Sequence, residues 1–245
     1  MSKRFEIEYA ALCTLGRVRR NNEDNFYCGG RIREDINSTD DAAVSGTVYS
    51  DTNELFAVFD GMGGEACGEV ASFVAASHAE SFARDRMHYE VYLYELAELL
   101  NEKVCEETAA RSLVMMGGTA AMVQLAGGDI YALNAGDSRI YRLSDHYLKQ
   151  ISEDHIAFYG SKAITKFLGI PGGAPLRPYI AEGQLKSGDV YLICSDGVTD
   201  MLDDSEITAI IDSDEPLDVL CRRLIDAAMQ NGGVDNTTAI LLRAK

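Results

Sequence analysis

The stretch Leu55–Phe56–Ala57–Val58–Phe59–Asp60–Gly61–Met62–Gly63–Gly64–Glu65–Ala66 joins an unbroken apolar run to a carboxylate and a cluster of glycines. Apolar residues from Leu55 to Phe59 predict a buried strand. The glycines predict a loop that needs unusual backbone angles or a close approach to something else. Asp60 therefore stands at a strand end. A loop of that kind holds a carboxylate rigidly and leaves carbonyl and amide groups uncovered, which suits a hard cation with its water ligands. By itself a strand ending in Asp-Gly is more often a plain turn than a metal site, so the reading depends on the company Asp60 keeps.

On the N-terminal side, Phe5–Leu12 alternates well enough for a first strand, which Gly16 ends. Arg17–Val18–Arg19–Arg20–Asn21–Asn22–Glu23–Asp24 then runs from a basic cluster into an acidic pair, followed by a short aromatic strand over Asn25–Tyr27. Opposite charges packed this closely are either surface ion pairs or an arginine fork for phosphate beside carboxylates for a metal. Residues Gly29 to Glu54 form a polar excursion with a short pair of strands expected around Ala42–Tyr49.

On the C-terminal side a helix is expected after Gly64, with Val70, Phe73, Val74 and Ser77 on one face and Glu65 and Glu69 near its start. A charged break at Arg84–Asp85–Arg86 precedes a second helix, on which Tyr92, Leu96, Leu99, Leu100 and Val104 keep the spacing of a packed face. From Gly117 the texture changes to short strands with glycine turns: Thr119–Leu125, Ile130–Asn134 after Gly127–Gly128–Asp129, and Arg139–Leu143. An irregular stretch follows from Ser152 to Pro178. The apolar strand Val190–Ser195 then stops at Asp196–Gly197, as the strand after Leu55 stops at Asp60–Gly61. Two helices, about Ser205–Asp212 and Pro216–Gln230, lead to Asp235 and a last strand, Thr237–Arg243.

The bulk properties bound the partners. The 245 residues carry a formal charge of −17, which disfavours nucleic acid, whose binding is dominated by cationic contacts to phosphate, and disfavours anionic membrane. No apolar run is long enough for a membrane span, and no signal peptide is expected. The six cysteines are scattered without a CxxC pair, which fits a reducing cytoplasm. No Pro/Ser-rich linker or low-complexity tract divides the chain, so one domain over 1–245 is expected.

Two strands end in Asp-Gly, at Asp60 and Asp196, and a third is preceded by Asp235. In an antiparallel sheet the end of one strand lies beside the start of its neighbour, so these carboxylates are expected to meet at one sheet edge, joined by Glu23 and Asp24. Carboxylates so close cannot all stay ionised unless cations neutralise them. Oxygen-only ligands point to Mg²⁺ or Mn²⁺, with Ca²⁺ a further option, rather than zinc. Two ions sharing Asp60 would lower the pKa of a bridging water, and Arg19 would hold a phosphate for attack, which together imply phosphoester hydrolysis.

The matching residues are Gly16–Asp24, Asp60–Gly64, Gly118–Thr119–Ala120, Asn134–Arg139, Asp154–His155, Leu168–Gly169, Ser195–Asp200 and Asp235–Thr238. In this order, across nearly the whole chain, they make the sequence resemble the metal-dependent type 2C (PPM) serine/threonine protein phosphatases in their compact bacterial form. The resemblance implies an α+β fold: a four-layer α-β-β-α sandwich, two antiparallel sheets flanked by helix pairs. It implies that Asp60 bridges two Mn²⁺ or Mg²⁺ ions, with Asp196 and Asp235 completing one site and Glu23 and the Gly61 carbonyl the other. Asp137 with Asp196 would form a third, weaker site. Arg19 would bind substrate phosphate, and Asp24 would orient Arg19 or metal-bound water. The implied partners are phosphoserine and phosphothreonine proteins and a cognate kinase system, with the chain acting as a monomer.

The sequence also departs from the family pattern. Met62 stands where animal relatives carry a histidine that is a candidate general acid, Thr14 replaces a usual Asp, and Ala120 a usual Thr. His155 is expected to be a structural hydrogen-bonding residue. Only Ile156 to Ala163 separates Asp154–His155 from Ile164–Gly169, where bacterial relatives carry a much longer flap. This short segment keeps open a phosphatase of a small regulatory phosphoprotein or phosphoester. A phosphoprotein-binding module without turnover, a pseudophosphatase, would not require the full carboxylate set with Arg19.

Overall fold

The computed structural model describes residues 4–62, 67–80, 89–172 and 174–245. Its strands are β1 (Glu6–Thr14), β2 (Asp24–Cys28), β3 (Ala42–Tyr49), β4 (Leu55–Met62), β5 (Gly117–Gly118), β6 (Ala120–Ala126), β7 (Asp129–Ala135), β8 (Arg139–Ser144), β9 (Tyr147–Gln150), β10 (Tyr179–Gln184), β11 (Val190–Cys194) and β12 (Thr237–Ala244). Its helices are α1 (Gly68–His78), α2 (Tyr89–Ala110), α3 (Asp196–Thr199), α4 (Asp204–Ile211) and α5 (Leu217–Gln230). One sheet runs β3-β1-β12-β11-β8-β9 and the other β10-β7-β6-β4-β2, with β5 pairing onto β4. All the pairings are antiparallel. No described helix is long and apolar enough to cross a membrane.

The apolar run that opens β4 is continuous because both of its faces are covered. Leu55, Ala57 and Phe59 pack with Leu93, Leu96 and Leu100 of α2 and with the small residues of α1. Phe56 and Val58 point the other way, into a layer shared with Phe26, Ile193 and Ile240. A third layer joins Leu192 and Leu241 to Leu220 and Leu224 of α5 and Ile207 of α4. Helices, sheet, sheet and helices thus stack in the α-β-β-α order that the resemblance implies, each sheet buried on two faces.

Four local readings are corrected. The pair of strands expected around Ala42–Tyr49 is one strand: Gly46 does not turn the chain but makes room for Tyr9, whose hydroxyl would lie 2.4 Å from a Cβ there. Strands β9 and β10 were invisible to hydrophobic patterning because each is a half-exposed sheet edge. The strand expected to run to Ser195 ends at Cys194, and Asp196–Gly197, where only a strand end was expected, opens the short helix α3. On α1 the buried face is Val70, Ala71, Ala75 and Ala76, while Phe73 and Val74 are half-buried and Ser77 is exposed. Close approach explains the choice of small residues, since a Cβ on Gly61 would lie 2.1 Å from the Gly68 carbonyl oxygen. Gly63, Gly64, Glu65 and Arg84–Asp85–Arg86 lie outside the described residues.

The same crowding fixes the end of β11 against the start of β12, where a Cβ on Gly197 would lie 2.0 Å from the Asn236 carbonyl oxygen. Backbone cannot retreat as a flexible side chain can, so Gly197→Ala is expected to cost about 2 kcal/mol or more in urea unfolding. Gly183→Ala, whose Cβ would meet nothing nearer than 3.5 Å, is expected to stay within about 0.5 kcal/mol of the parent.

Candidate active site

Four rows of side chains between the two sheets change character at the same end of the sandwich. In β4 the row Phe56, Val58 continues to Asp60, and in β2 the row Cys28, Phe26 continues to Asp24. In the facing sheet Tyr191 and Ile193 lead to Ser195, and Leu242 and Ile240 lead back to Thr238. Asp24 and Asp60 are register partners. The carboxylates therefore do not meet along one sheet edge, as expected from strand order, but across the gap between two sheets. Antiparallel pairing does place the end of β11 beside the start of β12, bringing Asp196 and Asp235 together. Asp60, Asp24 and Glu23 approach from the opposite layer.

Asp24 is buried, and its Oδ2 accepts from Ser195 Oγ at 2.8 Å and Thr238 Oγ1 at 2.6 Å. Its Oδ1 is buried with no partner. Burial pushes its pKa up to about 7, against the two hydroxyl hydrogen bonds and helped by repulsion from Asp196 and Asp235. Asp60 is likewise held well above the ordinary carboxylate range, by burial first and then by the charges of Asp24, Asp196, Asp137 and Asp235. Burial and Asp196 raise Asp137, on the β7–β8 loop, to about 6, while Lys162 pulls it back. These shifts have one cause: several anions share a poorly solvated cleft.

Backbone contacts hold the carboxylates in place. The Asp60 amide donates to Thr119 Oγ1 at 3.1 Å, its carbonyl accepts from the Thr119 amide at 2.8 Å, and Thr119 Oγ1 meets Ser138 Oγ at 2.6 Å. Asn236 accepts from the Glu23 amide at 2.8 Å and donates to the Leu15 and Asn21 carbonyls at 2.8 and 2.9 Å. The Gly61 amide donates to the Glu23 carbonyl at 3.0 Å. Arg33, also buried, donates to the carbonyls of Asp24, Asn22 and Asp35. Of these supports, Thr119, Ser138, Ser195, Asn236 and Thr238 lie inside the quoted motifs, but the sequence reading gave them no role. Arg33 carried no signal, because its partners are all main-chain oxygens.

Among the described residues two cations bond carboxylates of the cleft. Arg19 donates to Asp235 at 2.6 Å and its pKa is raised by that bond. Lys162 donates to Asp196 at 3.1 Å and also to Asp200. His155 is a structural residue: its Nδ1 accepts from the Gly136 amide at 3.3 Å and its amide donates to the Gly136 carbonyl at 2.9 Å. Burial lowers its pKa. The neighbouring Asp154 is locked to Arg139, whose Nη2 donates to it at 2.7 Å.

The donors suit a hard divalent ion in kind and in charge. All are oxygen, and a Cβ built on Gly68 would lie 2.9 Å from the Gly61 carbonyl oxygen and 3.0 Å from the Glu23 carboxyl carbon, so both groups converge on one small cradle at the start of α1. Among the described residues no three His, Cys, Asp or Glu side chains are already drawn into a closed cage. Asp235 and Asp196 instead hold Arg19 and Lys162.

Comparison with known proteins converges on the same chemistry. A family model described as Protein phosphatase 2C matches residues 29–232. The serine/threonine phosphatase stp of Listeria monocytogenes is 27% identical over 93% of this chain and 92% of its own length. PppA, a key regulatory component of the T6SS in Pseudomonas aeruginosa, superposes with a TM-score of 0.81 at 27% identity, covering 98% of each chain. The catalytic domain of the serine/threonine phosphatase PstP, solved with two manganese ions, superposes with a TM-score of 0.78 at 27% identity, covering 98% of this chain and 99% of that one.

The raised carboxyls set the pH response of the metal-free protein. Asp24 at about 7 and Asp137 at about 6 bind protons in the folded state that the unfolded chain, titrating near its ordinary value of about 4, has already released. Their contribution to stability is therefore fully present below pH about 4 and is lost as pH rises to about 7. In chelator, urea unfolding is expected to show stability falling from pH 5 to pH 7.5 because of these groups, and Asp24→Asn is expected to flatten the slope. Added Mn²⁺ is expected to stabilise the parent more at pH 7.5 than at pH 5.

Proposed function

The chain belongs to the protein phosphatase 2C family, and from that premise we propose how its residues divide the work of a metal-dependent serine/threonine protein phosphatase. The observation that carries the assignment is the gathering of Asp24, Asp60, Asp196 and Asp235, mutually repelling, beside Arg19 at one end of the inter-sheet layer. A binding module would bear the electrostatic cost of that gathering without using it.

Glu23, Asp60 and the Gly61 carbonyl would hold one ion, Asp60, Asp196 and Asp235 a second, and Asp137 with Asp196 a weaker third. Mn²⁺, the ion in the PstP structure, or Mg²⁺ would neutralise the carboxylates and supply the Lewis acidity that activates water and polarises the phosphoryl group. Arg19 releases Asp235 and binds the incoming phosphate, offering a planar fork to two of its oxygens. That exchange also frees Asp235 for a metal. Asp24, fixed through Oδ2 by Ser195 and Thr238, presents Oδ1 as an acceptor that orients the attacking water. Met62 carries no acidic proton, and His155 is buried with Nδ1 accepting from the Gly136 amide and Nε2 enclosed away from solvent, so the departing serine or threonine oxygen would take its proton from metal-bound or bulk water.

The substrates are phosphoserine and phosphothreonine proteins, which implies a kinase that installs the phosphate. The chain would act as one domain over 1–245 and as a monomer, and its six unpaired cysteines, four of them buried, fit a reducing cytoplasm.

Phosphate release from phosphoserine, phosphothreonine and phosphotyrosine peptides, with and without Mn²⁺, tests this reading. The first two are expected to be hydrolysed only with metal; peptide binding without release would establish a pseudophosphatase instead. Asp60→Ala and Asp235→Ala are each expected to lower kcat by about a hundredfold or more. Arg19→Ala is expected to raise KM about tenfold with a smaller change in kcat, because its contact is made in the ground state. Unchanged steady-state constants would remove Arg19 from the site.

A further inference from the structure

The short segment after His155 is rooted on both sides of the cleft. His155 is bonded to Gly136 beside Asp137, the Ile156↔Ile164 bridge closes a small hairpin, and Leu168 pairs with Gly118 beside the Gly61 backbone. Within the hairpin Ala157 donates to the Ala163 carbonyl at 2.9 Å and Ser161 to the Phe158 carbonyl at 2.8 Å. Its cation, Lys162, is the residue that crosses to α3. The ammonium donates to Asp196 at 3.1 Å and to Asp200 one turn further on, and its charge is felt at Asp137.

We propose that the Lys162 ammonium is a built-in cation at the Asp137–Asp196–Asp200 edge of the cleft, competing there with a third divalent ion and strapping the 156–163 hairpin over the site while it is bound. The proposal rests on the metal-centre reading above. Two features of the contact support it. Asp196 and Asp200 lie four positions apart on a single helical turn, so their carboxylates share one face, and a cation placed between them neutralises both. Lys162 comes from a distant element, 34 and 38 residues earlier in the chain, so keeping it there orders the hairpin as well as a side chain. The ammonium holds Asp196 through Oδ2 alone, leaving Oδ1 for the second ion; a third ion that takes Oδ2 together with Asp137 must displace the ammonium, because the two positive charges repel at that range. Binding of the ion and release of the hairpin are then one event, and whatever differential affinity the ion has for the released state is the whole of its effect.

The arrangement also gives a physical meaning to the short hairpin. Its tip residues Phe158 and Tyr159 are strongly exposed. Loss of the Lys162 contacts removes its tie to α3 and leaves the turn supported by its own main-chain bonds and its roots.

The test counts bound Mn²⁺ by electron paramagnetic resonance and calorimetry in the full chain and in Lys162→Met, with Lys162→Arg as a charge-retaining control. Hydrogen exchange of the 156–164 amides is followed in the same titrations. Lys162 is exposed, so neither variant is expected to disturb folding. The parent is expected to bind two ions tightly and a third weakly; Lys162→Met is expected to tighten the third about fivefold, in keeping with a solvent-accessible pair, and to leave the first two unchanged. Hairpin amides in the parent are expected to exchange faster as the third site fills, whereas in Lys162→Met they exchange fast from the start. Two tight ions with the third unchanged in Lys162→Met would overturn the role of Lys162 alone. No tight ion in either protein would overturn the metal centre on which it rests.

Discussion

The inter-sheet layer does not close over itself: at one end its apolar rows give way to Asp60, Asp24, Ser195 and Thr238, and the rest of the structure is arranged around that break. A carboxylate at the end of a core row is desolvated by the same packing that holds the sheets together. Asp24 shows the consequence, with hydroxyls on one oxygen and nothing on the other. The two sheets are therefore joined by apolar contact along most of their area and by a charged, partly satisfied network at the mouth.

That network needs a rigid frame, because repulsion among carboxylates would otherwise spread them. The frame is mostly main chain. Asn236 ties the Glu23 amide to the Leu15 and Asn21 carbonyls, Arg33 clamps the start of β2 from behind, and Thr119 grips both the amide and the carbonyl of Asp60. Glycines at 61, 68 and 197 let backbone approach backbone where any Cβ would intrude. Stability is given up to place the charges, and it returns when a cation is bound, the linkage expected of a site preorganised for ions.

The sequence disclosed the strands that lie within two-sided packing, since Leu55–Phe59 and Val190–Cys194 are apolar without interruption. It disclosed Asp60 and Asp196 because each abuts such a strand, and Glu23, Asp24 and Asp235 because each shortly precedes a strand, whereas Asp137 came only from the resemblance. It misplaced their meeting point: strand order within a chain does not say which of two layers a strand joins, and β4 pairs with β2 and β6 rather than with β11 or β12. The small-residue face of α1 was hidden for a related reason, as alanines carry little hydrophobic signal yet are what a close helix-to-sheet approach selects. Edge strands β9 and β10 are half polar and read as loop. Arg33 and Lys162 were passed over because a single cation in a polar stretch has no pattern, and only the fold shows that one is buried against carbonyls and the other lies across carboxylates.

Arg19 and Lys162 mark opposite demands on the same excess of negative charge. Each takes one carboxylate of the site, Asp235 and Asp196 respectively, and they come from different elements: Arg19 from the loop after β1, Lys162 from the hairpin rooted at Gly136 and Gly118. Neither contact is made to Asp60, which stands in the field of Asp24, Asp196, Asp137 and Asp235. These two cations thus bond carboxylates at the flanks of the anionic cluster, while Asp60 feels Arg19 only through space. A small ion is better suited to Asp60 than a side chain, because it concentrates charge among several oxygens without bringing a carbon stem into a space bounded by two sheets.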